Sequence, residues 1–540
     1  MLLIIANQLF SQNCNCNITI PLSQSVVDAN NYNIQPGDTI CFEAGNREFI
    51  KIANFHGDSI NQIVFINCQG SVIVKNNAYP FGIFVSNCSY FKITGSGSDS
   101  VQYGFKILET KAYTNGLSIG EKSTNFEIDH FEIANTGFAG IIAKSDPLCD
   151  LSTNFGHFTQ YQTIIHDNYL HNIGGEGMYI GHSFYSGYST VCDSISDTLY
   201  PHEIKGLRIY NNYLENCHWD GIQVGCATED CEIYGNKIIN YGSDLYNSQN
   251  SGIQIGGGTT GKCFNNFIAN GSGNGISVFG LGNNLIFNNI ILNAGRNYFP
   301  SDPSKKTYGI FCDDRTTISG SPFNFINNTI INPKTDGIRF YSLLSNNNKF
   351  YNNIIINPGS FGNYSSLNQS YIYLNPGVNA SLSNNYFDLD MHNLNFIDTL
   401  NYNFKLTEFS PAKDAGIDVS NMGIVFDFDF YPRPYSNAFD IGAYEYYPGN
   451  LVKHEIINSN EIIISPNPNK GFFQLRFISD ILNEDCKIVI SNQLGEIIFH
   501  KDFNSDETQS IDISKITKSG IYFIILHSEN YHSIKKLIIQ

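Results

Sequence analysis

Between residues 164 and 357 the chain repeats one pattern: a short alternating apolar run, an Asn, a second short apolar run, and another Asn. The segments IIHDNYLHN, RIYNNYLEN, EIYGNKIIN, KCFNNFIAN, LIFNNIILN, NFINNTIIN and KFYNNIIIN align with Asn168, Asn212, Asn236, Asn266, Asn289, Asn328 and Asn353 in one column. Four residues on, Asn172, Asn216, Asn240, Asn270, Asn293, Asn332 and Asn357 form a second. Successive spacings in the first column are 44, 24, 30, 23, 39 and 25 residues. The short values are one turn of a β-solenoid and the long ones a turn plus an inserted loop; a propeller blade needs a steadier period of about 40 to 50 residues. Each repeat continues into a glycine and an alternating strand, at Gly140, Gly177, Gly221, Gly252, Gly275, Gly309 and Gly337. The alternation predicts that Ile222, Val224, Ile253, Ile255, Ile276 and Val278 face inward and that Gln223, Gln254 and Ser277 face outward. Stacking brings like residues into register, so Asn amides can bond along a column. The Asn columns are therefore read as structural.

This pattern resembles the right-handed parallel β-helix of pectate-lyase-like proteins, with PbH1-type repeats, over roughly residues 30–390. Pro36-Gly37-Asp38-Thr39-Ile40 resembles the first-rung entry of that superfamily. The resemblance implies an all-β chain, a right-handed parallel β-helix solenoid, and specifies its chemistry weakly. Further on, Ser410-Pro411-Ala412-Lys413-Asp414-Ala415-Gly416, Tyr431-Pro432-Arg433-Pro434 and Asp440-Ile441-Gly442-Ala443-Tyr444-Glu445-Tyr446 resemble the terminal piece of choice-of-anchor Q type surface proteins. A solenoid's last rung exposes strand edge and core, so a cap is expected there, and its charged residues are read as cap salt bridges. The closing segments, from Pro466-Asn467-Pro468-Asn469-Lys470-Gly471 through Ser519-Gly520-Ile521-Tyr522-Phe523 to Lys535-Lys536-Leu537-Ile538-Ile539, resemble the type IX secretion C-terminal sorting domain of Bacteroidota. That resemblance implies a small C-terminal β-sandwich, handling by the type IX secretion machinery, and a secreted or outer-membrane cell-surface location. An ordinary β-sandwich binding module is the alternative. The expected division is a signal peptide at 1–12, the β-helix at 13–395, its cap at 396–447, a linker at 448–460 and the sorting domain at 461–540.

The start, MLLIIANQLF, has the apolar stretch of a secretory signal peptide without its basic lead, so the true start lies upstream or the signal is atypical; a buried first strand is the other reading. No run of about 18 apolar residues predicts a transmembrane helix. A net charge of −18 with no basic stripe argues against nucleic acid as a partner. The 32 Tyr and 40 Phe, against one Trp and four Met, suit β structure and not helical bundles. The expected state is a monomer. Thirteen Cys leave at least one thiol unpaired. Cys149 with Cys192, in loops after successive repeats, and Cys226 with Cys231, around a short loop, are the candidate disulfides; the rest read as buried core residues.

Insertions on a solenoid build the walls of a site. Residues 145–162 and 183–202 follow the glycine strand of successive repeats, and residues 241–250 and 294–307 precede it in later ones, which flanks one strand face with loops. On that face the residues before the glycines include Glu176 and Asp220, on rungs about 4.8 Å apart. Such a pair can share a proton for acid–base work or bind Ca²⁺, the candidate cofactor. His182 and His218 lie close by as further catalytic candidates, with Trp219, Tyr179, Gln223 and Gln254 as sugar-binding candidates. Turn chemistry at a solenoid corner is the competing reading of the two acids. Lys205 and Arg208 are candidates to neutralise a uronate or abstract a proton, with surface salt bridges as the competing reading. Asp313-Asp314 and Thr335-Asp336-Gly337 resemble polygalacturonase-like motifs, but in reverse order. The sequence thus points to an exported carbohydrate-active protein acting on a polysaccharide, as a lyase or glycoside hydrolase. A non-catalytic cell-surface adhesin or glycan-binding protein is the alternative.

Overall fold

The computed structural model describes residues 14–448 apart from 247, 303 and 360–369, and much of 462–539, where 466, 468, 478–484, 493–496, 505–508, 516–517, 519 and 528–531 are not described. The expected signal peptide and most of the expected linker lie outside the described residues. The chain divides into two compact units: residues 1–417 with 428–430 and 440–445, and residues 418–427, 431–439 and 446–540.

The first unit is a parallel β-helix. One sheet stacks twelve short strands, from Val26–Asp28 through Ile141–Ala143, Met178–Ile180, Ile222–Val224, Ile253–Ile255, Ile276–Val278, Ile310–Cys312 and Ile338–Phe340 to Ile372–Leu374. The other two strands of each turn, such as Ala227–Tyr234 and Lys237–Ile239, join across a tight bend into one 23-stranded sheet. Ile222 pairs in register with Ile253, and Ile253 with Ile276. These inward residues belong to one buried cluster that runs from Ile20 to Ile355. Stacking like on like extends to aromatic rings, as in Phe105 on Phe131 at 5.1 Å and Phe325 on Phe350 at 5.1 Å.

The two Asn columns have different causes. Asn168, Asn212, Asn236, Asn266, Asn289, Asn328, Asn353 and Asn385 form a continuous amide ladder, each Nδ2 donating to the next Oδ1 at 2.9–3.0 Å. Each of these Oδ1 atoms also accepts the backbone N–H of the preceding Asn, as Asn236 Oδ1 does from Asn212 at 3.1 Å. The second column is a backbone requirement first: Asn172, Asn216, Asn240, Asn270, Asn293, Asn332 and Asn357 all have φ between 53° and 60°, where Asn is the best-tolerated side chain. The residue before each ladder Asn is also left-handed, and where Asn or Asp is missing Gly235 takes that place at φ 63°. Four of these preceding residues, Asn265, Asn327, Asn352 and Asn384, hold the trailing chain. Asn327 Nδ2 donates to the carbonyls of Asp440 and Gly442, both at 3.0 Å, and Asn352 exchanges two 2.9 Å bonds with Ile417. The repeated glycine is steric, since a Cβ on Gly177 would lie 2.5 Å from both the Gly221 carbonyl oxygen and Leu214 Cδ2.

Disulfides join Cys14 to Cys68, Cys16 to Cys41 and Cys149 to Cys192, the last as expected. The expected Cys226–Cys231 bond does not form. Cys231 points into the core from its strand, while Cys226 turns away at a corner and donates to the His182 carbonyl at 3.2 Å. Cys88, Cys217, Cys226, Cys231, Cys263 and Cys312 are buried thiols.

The second unit contains two antiparallel sheets. Ile462–Ser465, Phe472–Phe477 and Gln509–Asp512 form one; Ile497–Asn504, Asp485–Asn492, Gly520–His527 and His532–Ile539 form the other. Phe473, Leu475 and Ile511 from the first pack with Ile488, Ile490, Tyr522, Ile524 and Leu537 from the second, which makes a small β-sandwich.

Asn266→Ala deletes an acceptor of two bonds and a donor in mid-ladder, and is expected to lower stability by roughly 3 kcal/mol in denaturant unfolding. The exposed Asn240→Gly, which keeps the left-handed backbone, is expected to change it by less than about 1 kcal/mol. Equal effects would show that the buried ladder is not what holds the rungs.

Candidate functional site

Strand register places one outward column along the twelve-stranded sheet: Ile142, Tyr179, Gln223, Gln254, Ser277, Phe311, Arg339 and Tyr373. The residue before each glycine sits on the same outer face, three positions earlier. Asn274 Nδ2 bonds Ser277 Oγ at 3.0 Å, and Asp336 pairs with Arg339 at 2.6 Å. Glu176 and Asp220 are therefore neighbours on adjacent rungs, with Gly177 N–H donating to the Asp220 carbonyl at 2.9 Å.

Both acids are fully buried, as are Gln223 and Ser277, so this outward face is covered and not an open groove floor. The cover comes from the insertions. Gln249 Nε2 lies 3.4 Å from Glu176 Oε1, and Gln223 Nε2 donates to Ser183 Oγ at 2.6 Å. Asp220 Oδ1 accepts the Ser251 N–H at 2.5 Å. Glu176 Oε2, Asp220 Oδ2 and Gln223 Oε1 are buried with no hydrogen-bond partner among the described residues. Burial pushes the Glu176 carboxyl up to about 7, against its own backbone N–H and the charge of Lys144. Burial, with the charge of Glu176 beside it, raises Asp220 well above the ordinary carboxylate range despite the Ser251 bond. Both carboxyls thus hold a proton more readily than ordinary carboxylates, and Glu176 is poised to titrate near neutrality.

Lys144 was not singled out in the sequence. It follows the strand Ile141–Ala143, one rung before Met178–Ile180, and its ammonium lies 5.2 Å from the Tyr179 ring centre and pairs with Asp146. The signal for it was positional, because the repeats that follow place Gly181 and Gly225 at the same point after the strand. Asp146 is held below the usual carboxylate range by His182, whose Nε2 is 3.3 Å away, and by Lys144. Tyr179 Oη bonds Ser183 Oγ at 2.8 Å. The insertions 145–162 and 183–202 are tied together by the Cys149–Cys192 disulfide and by Phe155 N–H to the Tyr200 carbonyl at 3.0 Å. His202 fastens the same junction, accepting Ser145 N–H at Nε2 (3.0 Å) and lying 3.1 Å from the Glu203 carbonyl at Nδ1. Burial depresses it to about 4.

Lys205 and Arg208 do not reach this site. They lie on the strand Glu203–Tyr210 of the other sheet and pair with its next rung, Lys205 with Glu229 at 3.3 Å and Arg208 with Asp230 and Glu232 at 2.7 and 3.1 Å. A corner of the helix separates residues that are close in sequence. Asp313 is bound by Arg315, and Asp314 Oδ2 accepts Leu343 N–H at 2.7 Å, so both secure a loop. His218 is exposed, with Nδ1 3.0 Å from Asp244 Oδ1. Half-buried Trp219 stacks on Tyr246 at 4.6 Å and meets the edge of Phe138 at 5.3 Å. Gln254 follows Gln223 in the outward column. A separate cluster of metal-ligand type, Glu127, Asp129 and His166, already holds the Lys92 ammonium, 2.6 Å from Glu127 and 2.7 Å from Asp129.

Residues 202–387 match the family model described as a right-handed β-helix region, and residues 463–540 match the secretion system C-terminal sorting domain. No curated protein matches significantly. Similar solved structures include the pectate lyase Pel9A, at 13% identity over 81% of this chain and 98% of that one with a TM-score of 0.39. An alginate lyase from Paenibacillus sp. str. FPU-7 is similar at 14% identity over 69% and 99%, TM-score 0.34. A GH136 lacto-N-biosidase from Eubacterium ramulus is similar at 11% identity over 67% and 64%, TM-score 0.37. The solenoid is a right-handed parallel β-helix, and the C-terminal β-sandwich is a type IX sorting domain, which makes the protein a secreted or cell-surface one. No described helix is long and apolar enough to cross a membrane.

Two outcomes follow. Glu176 binds its proton more tightly folded than unfolded, so its contribution to stability is full below pH 4.5 and is lost as pH rises to about 7. Above that pH Glu176→Gln is expected to exceed the wild type in stability by roughly 3 kcal/mol, with the difference vanishing below pH 4.5. A pH-independent difference in thermal unfolding would contradict the burial of this carboxyl. Deletion of residues 461–540 is expected to leave the β-helix folded and to stop export, which cell fractionation would read; surface delivery of the truncated chain would contradict it.

Proposed function

We propose that the protein is an exported enzyme that cleaves glycosidic bonds of a polysaccharide at the Glu176–Asp220 pair, by hydrolysis. The observation that carries this reading is the pair itself: two buried carboxyls on adjacent rungs, both raised, each with one oxygen that has no hydrogen-bond partner among the described residues. Protonated Asp220 supplies the proton that a departing sugar oxygen needs. Glu176, titrating near neutrality, acts as the base toward water or as the nucleophile, and Lys144 favours its ionised form. A glycan hydroxyl donating to the orphaned oxygens would satisfy them, as would Ca²⁺, for which Glu176, Asp220 and Gln223 Oε1 are the oxygen ligands at hand. The buried state of the pair means that the insertions 183–202 and 241–250 move aside to admit substrate. Trp219, stacked on Tyr246, offers an apolar face at the edge of the site, with Tyr179 and Gln254 on the neighbouring rungs.

Elimination, the lyase reaction, is the second reading. It requires neutralising a uronate carboxylate, and the cation beside the pair, Lys144, is already engaged by Asp146. The His182 ring, with an unpartnered Nδ1, supports it as the alternative base. In the adhesin reading the same surface binds a glycan and does no chemistry.

The full-length protein, with and without Ca²⁺, is to be assayed on a polysaccharide panel for reducing ends and for the ultraviolet absorbance of unsaturated products. Reducing ends alone are expected; unsaturated product would transfer the reading to a lyase, and binding without either to an adhesin. Glu176→Gln and Asp220→Asn are each expected to lower kcat about 10²-fold or more with binding retained. Full activity in both would move the chemistry away from this pair. Trp219→Ala is expected to weaken glycan binding with the fold intact.

A further inference from the structure

We propose that the other end of the same outward face is a second sugar-binding platform, formed by Tyr308, Phe311, Tyr341 and Tyr373 around Arg339 and Asp336, and that it holds a neutral pyranose unit of a long glycan. The proposal rests on the hydrolase reading, in which the covering insertions move aside, for the course of the glycan along this face. Phe311, Arg339 and Tyr373 occupy successive rungs of the column that carries Tyr179 and Gln223. The Tyr308 ring lies nearly parallel to Phe311, with centres 5.5 Å apart. The Arg339 guanidinium sits 4.1 Å from the Tyr373 ring centre, 5.3 Å from Tyr308 and 5.1 Å from Tyr341. Its Nε donates to Tyr341 Oη at 2.6 Å and its Nη1 to Asp336 Oδ2 at 2.6 Å, which fixes it in place.

Two features point to a ligand. Asp336 is fully buried, and although the Ser370 backbone N–H acts on its carboxyl, its Oδ1 makes no well-formed hydrogen bond among the described residues, which leaves an acceptor only partly met. The four rings remain only half-buried, so apolar area stays open on the same outer face. A pyranose presents both complements: C–H faces for the rings and hydroxyl donors for the carboxylate.

The charge balance selects a neutral sugar. Asp336 cancels Arg339, and Asp313 cancels Arg315, which lies over Phe279 at 3.7 Å at the platform's edge. Lys306 also acts on Asp336, but it is exposed on the 294–307 insertion and screened by solvent. An anionic sugar would meet no uncompensated buried cation here, on a chain of net charge −18.

From the Glu176 rung to the Arg339 rung there are five steps, roughly 24 Å at about 4.8 Å each. A pyranose unit is of about the length of one rung, so only an oligosaccharide of similar count covers both places, and the enzyme would act within long chains.

The test uses the full-length Glu176→Gln protein, titrated by calorimetry with cello-, laminari-, xylo- and manno-oligosaccharides from disaccharide to octasaccharide, and with oligogalacturonates and oligomannuronates of matched length. At least one neutral series is expected to bind with affinity that rises steeply up to the hexasaccharide. Phe311→Ala and Tyr373→Ala, with unfolding midpoints confirming the fold, are expected to lower hexasaccharide affinity about tenfold and so flatten that rise. Unchanged affinity in both variants overturns the platform, as does absence of binding by every neutral series. Tighter binding of oligouronates that Arg339→Gln abolishes overturns the neutral-sugar assignment. The two readings separate in the unmutated protein. Ring-dependent binding with no cleavage of any glycan upholds the platform and removes the hydrolase; cleavage with no dependence on chain length or on these rings removes the platform alone.

Discussion

The spacing between rungs governs this molecule, and the amide ladder is the interaction that enforces it. Each ladder Asn spends its acceptor on the turn before and a donor on the turn after, so each turn is locked to the turns on either side at hydrogen-bond distance. A buried amide with one side missing is costly, which makes the register of each turn dependent on its neighbours. Long insertions at 145–162 and 183–202 leave that register intact, because the chain returns to the same buried amide after each excursion.

Register then distributes chemistry. A position three residues before an outward strand residue is the same place on every rung, so an acid there meets whatever the next turn carries. Where two turns both carry an acid, at Glu176 and Asp220, the carboxyls have nowhere to separate, and the covering loops remove the water that would keep them both ionised. Where the column carries Asp336 with Arg339, the charge is settled within one turn. One repeating backbone thus yields a proton-active end and a charge-neutral aromatic end.

Much of this was legible in the chain. The Asn columns, the inward Ile and Val, the joined insertions at Cys149 and Cys192 and the adjacency of Glu176 with Asp220 all follow from periodicity, because in a solenoid sequence alignment is spatial alignment. What periodicity cannot carry is which way a side chain turns at a corner and what lies over it. Lys205 and Arg208 are near Asp220 in sequence but round a bend from it. Glu176 and Gln223 point outward as expected and are nevertheless buried, because the covering loops have no repeat to read. The second Asn column, read from the sequence as another ladder, is one in part, with Asn216 bonded to Asn172, Asn240 to Asn216, Asn293 to Asn270 and Asn357 to Asn332 at 2.9–3.1 Å, and it also meets a left-handed backbone that the sequence pattern does not reveal.

The cysteines set an order of events. Three disulfides require an oxidising compartment, yet six thiols in the same unit stay reduced, sealed at 0–2% exposure. Burial pushes Cys88, Cys217, Cys226 and Cys231 up to about 12, so they hold almost no thiolate once enclosed. Before enclosure they are ordinary reactive sulfurs competing with Cys14, Cys16, Cys41, Cys68, Cys149 and Cys192 for partners. The observed pairing therefore requires that the six thiols be enclosed before they meet an oxidised partner.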